Sequence, residues 1–440
     1  MANPRKTAVR ALIKLEKDGG YSNIVIDTAI KNSQLDARDS GFATALFYGV
    51  LERKITLDYI ISKYSSVDMD KMSLLVKQTL RSAIYQIKYM DKVPDSAAVN
   101  EAVKIIKSLK EEKAAGFVNA VLRSFLRNGK KIDYPNDEIQ RMVIEYSCPR
   151  WIVEGFIKDY GVDNCKGILK GFLKSTLLSL RVNTTKITTQ QLLSKFIESG
   201  IDARVSDICE DAILLSNAGN VQNLFGYDEG YFHVQDVASQ LACKVLNAQP
   251  GDRVADMCSA PGGKSFTIAQ YMQNKGELFA FDIYDHKVGL IKSGAERLSL
   301  DCICAKINDA GKYDSELGEF DKILCDLPCS GLGILGKKPE IRYKNVAFLD
   351  SLQDLQYDLL CTSAKYLKPQ GTLVYSTCSL RNEENRKVAE RFLQNHKDFE
   401  AVSILPHVKR GIDEPDNMLT LMPHIHKTDG FFISAFVKKG

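Results

Sequence analysis

Apolar residues recur at intervals of three and four through the first third of the chain, the spacing of one face of a helix. Val9, Leu12, Ile13 and Leu15 form one such set, Leu57, Ile60 and Ile61 another, and Leu74, Leu75, Thr79, Leu80 and Ile84 a third. Val99, Val103 and Ile106 follow Ser96, which the pattern places as a helix cap. Val118, Val121, Leu122 and Phe125 mark a last helix, which Asn128-Gly129 stops. Residues 1–130 are therefore expected to be all α-helix. Residues 131–230 read as a small α+β module, with strands at Leu177–Val182 and Ala212–Leu215 and a helix at Thr188–Ser199 capped by Thr188 or Thr189. From 231 to 440 the pattern alternates. Strands are expected at Arg253–Met257, Leu278–Phe281, Cys302–Lys306, Lys322–Cys325 and Thr372–Ser376, with helical runs such as Ser265–Met272, Lys287–Leu298 and Leu352–Leu367 between them. Such alternation implies right-handed crossovers and a parallel, Rossmann-like sheet, which binds ligands beyond the carboxyl ends of its strands. Thr428–Phe436 reads as a closing strand, with Phe431 and Phe432 in the core.

Composition narrows the class. Of 440 residues, 45% are apolar and 26% charged, as in ordinary globular proteins. The longest near-apolar stretch, Ala43–Leu51, falls well short of the about 20 residues a membrane helix needs. The first twenty residues are charged throughout and hold no apolar signal core. Eleven cysteines, an odd number spread along a long chain, fit reduced thiols better than a disulfide framework, so a cytoplasmic protein is expected. Residues 1–128 carry 21 Lys and Arg against 14 Asp and Glu, and the remainder 38 against 41. The positive excess suits either a polyanion such as RNA or a solubilising helical surface.

The loop after the first strand of the alternating region is the first chemical signal. In Val254–Lys264 a strand enters a tight glycine turn that opens a helix. Gly262 and Gly263 let backbone approach a ligand, and the helix start offers unpaired N–H groups to a carboxylate or phosphate. Asp282 ends the next strand at about the distance from which an acid binds ribose hydroxyls. Gly263-Lys264-Ser265 mimics the tail of a P-loop, but the glycine required five residues earlier is Cys258, so a nucleotide-triphosphatase fits poorly.

Two thiols follow two later strands, Cys329 in Asp326-Leu-Pro-Cys-Ser-Gly331 and Cys378 in Ser376-Thr-Cys-Ser379. Polar and turn residues surround both, unlike Cys165, Cys243 and Cys361, which read as small buried apolar groups. Cys302-x-Cys304 and Cys325-x-x-x-Cys329 lack paired zinc spacing, and no metal site is expected.

The segments CSAPGGK, DLPCSG and STCS, in that order, resemble the Sun-type RNA cytosine-5 methyltransferases. Gly230–Gln240 is similar to that family's lead-in to its catalytic domain, and the helical first third resembles NusB-type RNA-binding domains. This pairing is that of bacterial 16S ribosomal RNA methyltransferases. The resemblance implies a NusB-like domain at 1–130, a small α+β adaptor at 131–230 and a class I, Rossmann-like methyltransferase domain at 231–440. It implies S-adenosylmethionine as cofactor, 16S RNA of the small subunit as partner, and methylation of carbon 5 of cytosine 967. Carried over by residue, Cys258, Ser259, Ala260, Pro261, Gly262, Gly263 and Lys264 form the cofactor loop. Asp282 holds the ribose, and Asp309 lies at the adenine end, although the adjacent Asn308 is an alternative. Asp326 faces both the methionine end and the base, Cys378 is the nucleophile and Cys329 assists release. The same chemistry on transfer RNA or another ribosomal site, and a non-catalytic RNA-binding assembly factor, are the competing readings.

The chemistry needs such groups. Carbon 5 of cytosine is a poor nucleophile until a thiolate adds at carbon 6, which is covalent catalysis. A free thiol has a pKa of about 8.5, so the site must favour the anion. The carbon-5 proton must then leave to a base. Beyond Cys329, Gly336–Lys344 combines cations with Tyr343; Lys338 and Arg342 are candidate RNA contacts, against a plain solvated loop.

Overall fold

The computed structural model describes residues 3–174, 177–216, 218–344, 346–404 and 410–440. The chain divides into two compact units. One runs to Leu173 and includes Leu335–Lys344; the other comprises Lys174–Ile334 and Asn345–Gly440. Among the described residues no helix is long and apolar enough to cross a membrane.

The first unit is helical, with helices at Pro4–Asp18, Ser22–Ser33, Ala37–Tyr64, Leu74–Tyr89, Asp95–Ser108, Ala115–Arg127, Glu138–Glu145 and Arg150–Phe172. The apolar stripes meet in one core that buries Leu12, Phe47, Leu57, Ile61, Leu80, Ile84, Ile106, Val118, Leu122 and Phe125. The side chains of Asn3, Asp36, Ser73 and Asp137 each accept a bond from the backbone N–H three residues on, so each caps a helix start. Ser96 does not: its helix opens at Asp95 behind Pro94, whose fixed φ already suits a helix entry. The helices Glu138–Glu145 and Arg150–Phe172, which follow the segment expected to end at 130, belong to the same compact unit.

The second unit contains two sheets. Strands β1 (Leu178–Val182), β2 (Asp202–Val205), β3 (Ala212–Ser216) and β4 (Phe232–Val234) form an antiparallel sheet in the order β2-β3-β1-β4. The helix Thr189–Glu198 covers it, capped by Thr188 in a reciprocal box with Gln191. Leu180, Val182, Leu192, Phe196, Ile213 and Phe232 form the small core between them.

The larger sheet holds β5 (Arg253–Asp256), β6 (Glu277–Asp282), β7 (Ile303–Ile307), β8 (Phe320–Asp326), β9 (Leu367–Thr377), β10 (Phe399–Ala401), β11 (Met418–Leu421) and β12 (Phe431–Lys438). Its order is β10-β12-β9-β8-β5-β6-β7, with β11 paired to β12. Strands β5 to β9 run parallel; β12 closes the sheet antiparallel to β9 and buries Phe431 and Phe432. The order reverses between β5 and β8, so the crevice for a ligand lies beyond their carboxyl ends.

Both sheets, the smaller mainly in the expected adaptor segment and the larger in the expected methyltransferase segment, lie in one compact unit. Arg181 on β1 is fully buried. Its guanidinium donates to Gln270 Oε1 (2.9 Å) and Tyr271 Oη (3.0 Å) on the helix that follows the cofactor loop, and pairs with Asp211 at 3.0 Å. A buried charge is tolerated when it is paired and bonded in this way.

Candidate active site

Strand β5 ends at Asp256, and the following turn is pinned to its neighbours. Met257 N donates to Leu324 O on β8 (3.0 Å), and Ser259 N to Phe281 O on β6 (2.7 Å). Gly262 has φ +108°, and a Cβ there would stand 2.5 Å from the Phe266 ring, so only glycine fits. At Gly263 a Cβ would meet nothing among the described residues nearer than Gln235 Nε2 at 3.8 Å. That space belongs to a pocket of about 250 Å³ lined by Gln235, Asp256, Cys258, Gly263, Lys264, Asp326 and their neighbours. The helix Gly263–Tyr271 opens onto it with no side-chain cap on its first N–H groups.

Charges converge on this pocket. Lys264 Nζ lies 2.6 Å from Asp326 Oδ2, and Ser376 Oγ donates to the other oxygen, Oδ1, at 2.9 Å. The second bond follows from register, since Asp326 on β8 sits opposite Ser376 on β9. Burial works against the Lys264 charge, but the Asp326 carboxylate outweighs it and holds the ammonium above the usual lysine range. Asp256 is fully buried, accepts from Ser265 Oγ on one oxygen (2.6 Å) and has no partner among the described residues on the other. Burial pushes its carboxyl up to about 7.

The two thiols meet. Cys329 Sγ and Cys378 Sγ are 3.2 Å apart, both partly exposed. The hydrogen bond with Cys378, reinforced by burial, holds the Cys329 thiol well above the ordinary cysteine range, so Cys329 keeps its proton. Gly333 N donates to Cys378 O (2.9 Å), and a Cβ at Gly333 would fall 1.8 Å from Gly430 O. The Cys378 loop is tied in turn to the segment after it: Thr377 Oγ1 donates to Asn385 Oδ1 (2.5 Å), Asn385 Nδ2 to Ser379 O (2.9 Å), and Tyr375 Oη to Glu384 O.

Other expected site residues lie elsewhere on the same strand ends. Asp282, at the end of β6, is 7% exposed and accepts from Tyr284 N at 3.1 Å, with Lys287 Nζ 3.6 Å away. Asp309 turns back on its own loop, accepting from Gly311 N (3.0 Å) and pairing with Lys312 (3.1 Å), whose hydrogen bond lowers its pKa. Asn308 donates its backbone N–H to Asp282 O (3.1 Å), and its buried side-chain Nδ2 has no partner among the described residues. Neither Asp282 nor Asp309 lines the 250 Å³ pocket.

Arg342 is not available to RNA. It is 2% exposed, and one guanidinium nitrogen donates to Glu52 O (2.7 Å) and Ser147 O (3.1 Å). Glu52 lies within the helix Ala37–Tyr64 and Ser147 just past the helix Glu138–Glu145, and the guanidinium is engaged by their carbonyls. Tyr343 is likewise engaged, donating to Leu51 O at 3.0 Å. Lys338 is exposed.

Sequence reasoning missed Asp256, Glu384 and Asn385. Glu384 sits in Arg381-Asn-Glu-Glu-Asn385, a run that reads as a solvated face, yet Glu384 and Asn385 are 0% exposed. The available signal was position: a charged run directly after a strand that ends in a candidate nucleophile.

Three family models match the chain: the NusB family over residues 2–127, an RsmF/B-like ferredoxin-like domain over 148–222, and the 16S rRNA methyltransferase RsmB/F over 243–437. The chain is 38% identical to a probable ribosomal RNA small subunit methyltransferase B of Bacillus subtilis (strain 168), with 99% of each covered. It is 32% identical to a protein of the same description from Synechocystis sp., with 100% of each covered. Among solved structures, that of PH0851 superposes with a TM-score of 0.82 at 26% identity, covering 98% of this chain and 99% of that one.

Proposed function

The chain belongs to the ribosomal RNA small subunit methyltransferase B family, and from that membership we propose that it methylates carbon 5 of cytosine 967 in 16S ribosomal RNA, using S-adenosylmethionine and a transient covalent bond from Cys378 to the base. The observation that carries the reading is the pair of sulfurs 3.2 Å apart at the ends of adjacent parallel strands, beside the Lys264–Asp326 pair.

The residues present fit the cofactor. The space at Gly263, the unpartnered oxygen of Asp256 and the uncapped helix start offer room, an acceptor and donors to an amino-acid tail, while Asp282 stands at the neighbouring strand end for a ribose. When bound, S-adenosylmethionine supplies a methyl group on a positively charged sulfur. The protein's part is to make the base reactive. Cys378, as thiolate, bonds to carbon 6 and pushes electron density onto carbon 5. Lys264 places a positive charge near that sulfur, and Asp326, held by Lys264 and Ser376, is aimed at the same space as a hydrogen-bonding partner for the base edge. Once carbon 5 carries its methyl group, its proton must go to a base before the carbon–sulfur bond breaks and the ring double bond returns. Cys329 is placed for that transfer. Bonding of Cys378 to carbon ends the hydrogen bond that, with burial, holds the Cys329 thiol high, so the part-exposed Cys329 gives its own proton to solvent and takes the carbon-5 proton as the thiolate.

Bisulfite sequencing of ribosomal and transfer RNA from a deletion strain tests the assignment. The expected result is loss of one protected cytosine in 16S RNA, restored by the wild-type chain and not by Cys378→Ala. A loss confined to transfer RNA, or no loss, contradicts it.

A further inference from the structure

Glu384 is a charged side chain with 0% exposure, next to the thiols but touching neither sulfur. Its Oε2 accepts from Ser330 N (2.7 Å) and Gln356 Nε2 (3.3 Å), and its Oε1 from Ser379 Oγ (3.2 Å). Gln356 Nε2 also donates to Pro328 O at 2.8 Å. The peptide groups on both sides of Cys329 are therefore fixed through the Glu384–Gln356 pair. Ser379, the residue after Cys378, is fixed by the other oxygen, and the Ser330 and Ser379 hydroxyls bond to each other at 2.9 Å. Arg381 lies 3.7 Å from Oε1 and completes the compensation of the buried charge.

We propose that Glu384 is a positioning residue that sets the separation of the two sulfurs, and that the release half of the reaction depends on it more than the addition half does. The inference rests on the proposed covalent mechanism. Of the two thiols addition requires only Cys378, and its loop keeps separate anchors in Asn385 and Gly333. Proton removal requires Cys329 Sγ at one place relative to a base already bonded to Cys378, and a shift of about 1 Å at such a step costs on the order of a hundredfold. The bond pattern is what matters, since a glutamine amide can accept from Ser330 and Gln356 on its oxygen and donate to Ser379 Oγ from its nitrogen.

The experiment compares steady-state turnover with the fraction of full-length protein trapped on 16S RNA in a denaturing gel. Wild type, Cys378→Ala and Cys329→Ala provide the references. Glu384→Ala should lower turnover roughly ten- to hundredfold and raise trapped adduct toward the Cys329→Ala level, while Glu384→Gln restores most of both. Should Glu384→Ala fail to fold, Ser379→Ala removes one arm of the bridge and leaves the carboxylate bonded to Ser330 and Gln356; it should raise the adduct by a smaller factor. Lower turnover in these variants without added adduct, or a Glu384→Gln protein as defective as Glu384→Ala, overturns the proposal. Absence of adduct with Cys329→Ala itself would instead refute the covalent reading beneath it.

Discussion

Asp256 shows how burial sets the state of a group in this site. Its carboxyl is pushed up to about 7 from an ordinary 3.8 by loss of solvent, with Ser265 bonded to one oxygen. An acid raised on folding contributes stability that is complete below about pH 4 and is lost as the pH climbs to about 7. Asp256→Asn lacks that dependence. Urea unfolding across pH 4 to 8 should therefore show the wild type losing a few kcal/mol relative to Asp256→Asn between pH 4 and 7 and no further difference above; parallel curves would contradict the buried acid. His233 is the mirror case, held neutral by burial with its pKa near 3 and contacting Gly263 O at 3.1 Å. The thiols were legible because each follows a strand end among polar and turn residues, whereas Lys264 and Asp326 were assigned their roles through the resemblance of their segments to the methyltransferase family. Asp256 and Glu384 were not, because their chemistry arises from burial, which a local segment does not display.

The carboxyl ends of β5, β6, β8 and β9 carry Asp256, Asp282, Asp326 and the Cys378 turn, so register rather than loop sequence brings the groups together. The expected parallel strands and their helices were legible because long apolar runs alternate with helical periods. Strands β2 and β4 were not: β2 is half-exposed at each alternate position and β4 has three residues. The helix Arg150–Phe172 was hidden by a break at Gly161, where φ is 79° and the apolar period restarts. Arg342 was misread because a loop between strand and helix looks exposed from sequence, whereas this one packs with distant helices. Gly333 gives a test at this scale. Its Cβ position is filled by Gly430 O and Cys378 O, so Gly333→Ala must part its own segment, which follows Cys329, from the Gly430 and Cys378 backbones. We expect methylation to fall by more than tenfold, since reacting groups tolerate little misplacement, while thermal unfolding stays cooperative; full activity would show that the loops yield without consequence.

In the whole molecule the charge is partitioned: the first 128 residues carry the positive excess and the rest a small negative one. The division into two units was only partly legible, since the segment Leu335–Lys344 leaves the catalytic sequence to pack in the helical unit. Arg342→Ala strips bonds from the carbonyls of Glu52 and Ser147 and should destabilise that unit by roughly 2–3 kcal/mol, as for other buried bonds to charge. Denaturant midpoints measure this; affinity for S-adenosylmethionine, whose proposed site lies in the other unit, should be unchanged. The central claim is a bond between one sulfur and the base. Peptide mapping by mass spectrometry of the adduct formed by Cys329→Ala protein with 16S RNA tests it most directly. The account predicts a cytidine-bearing fragment on the peptide containing Cys378, dependent on S-adenosylmethionine; a modified peptide elsewhere, or none, would contradict it.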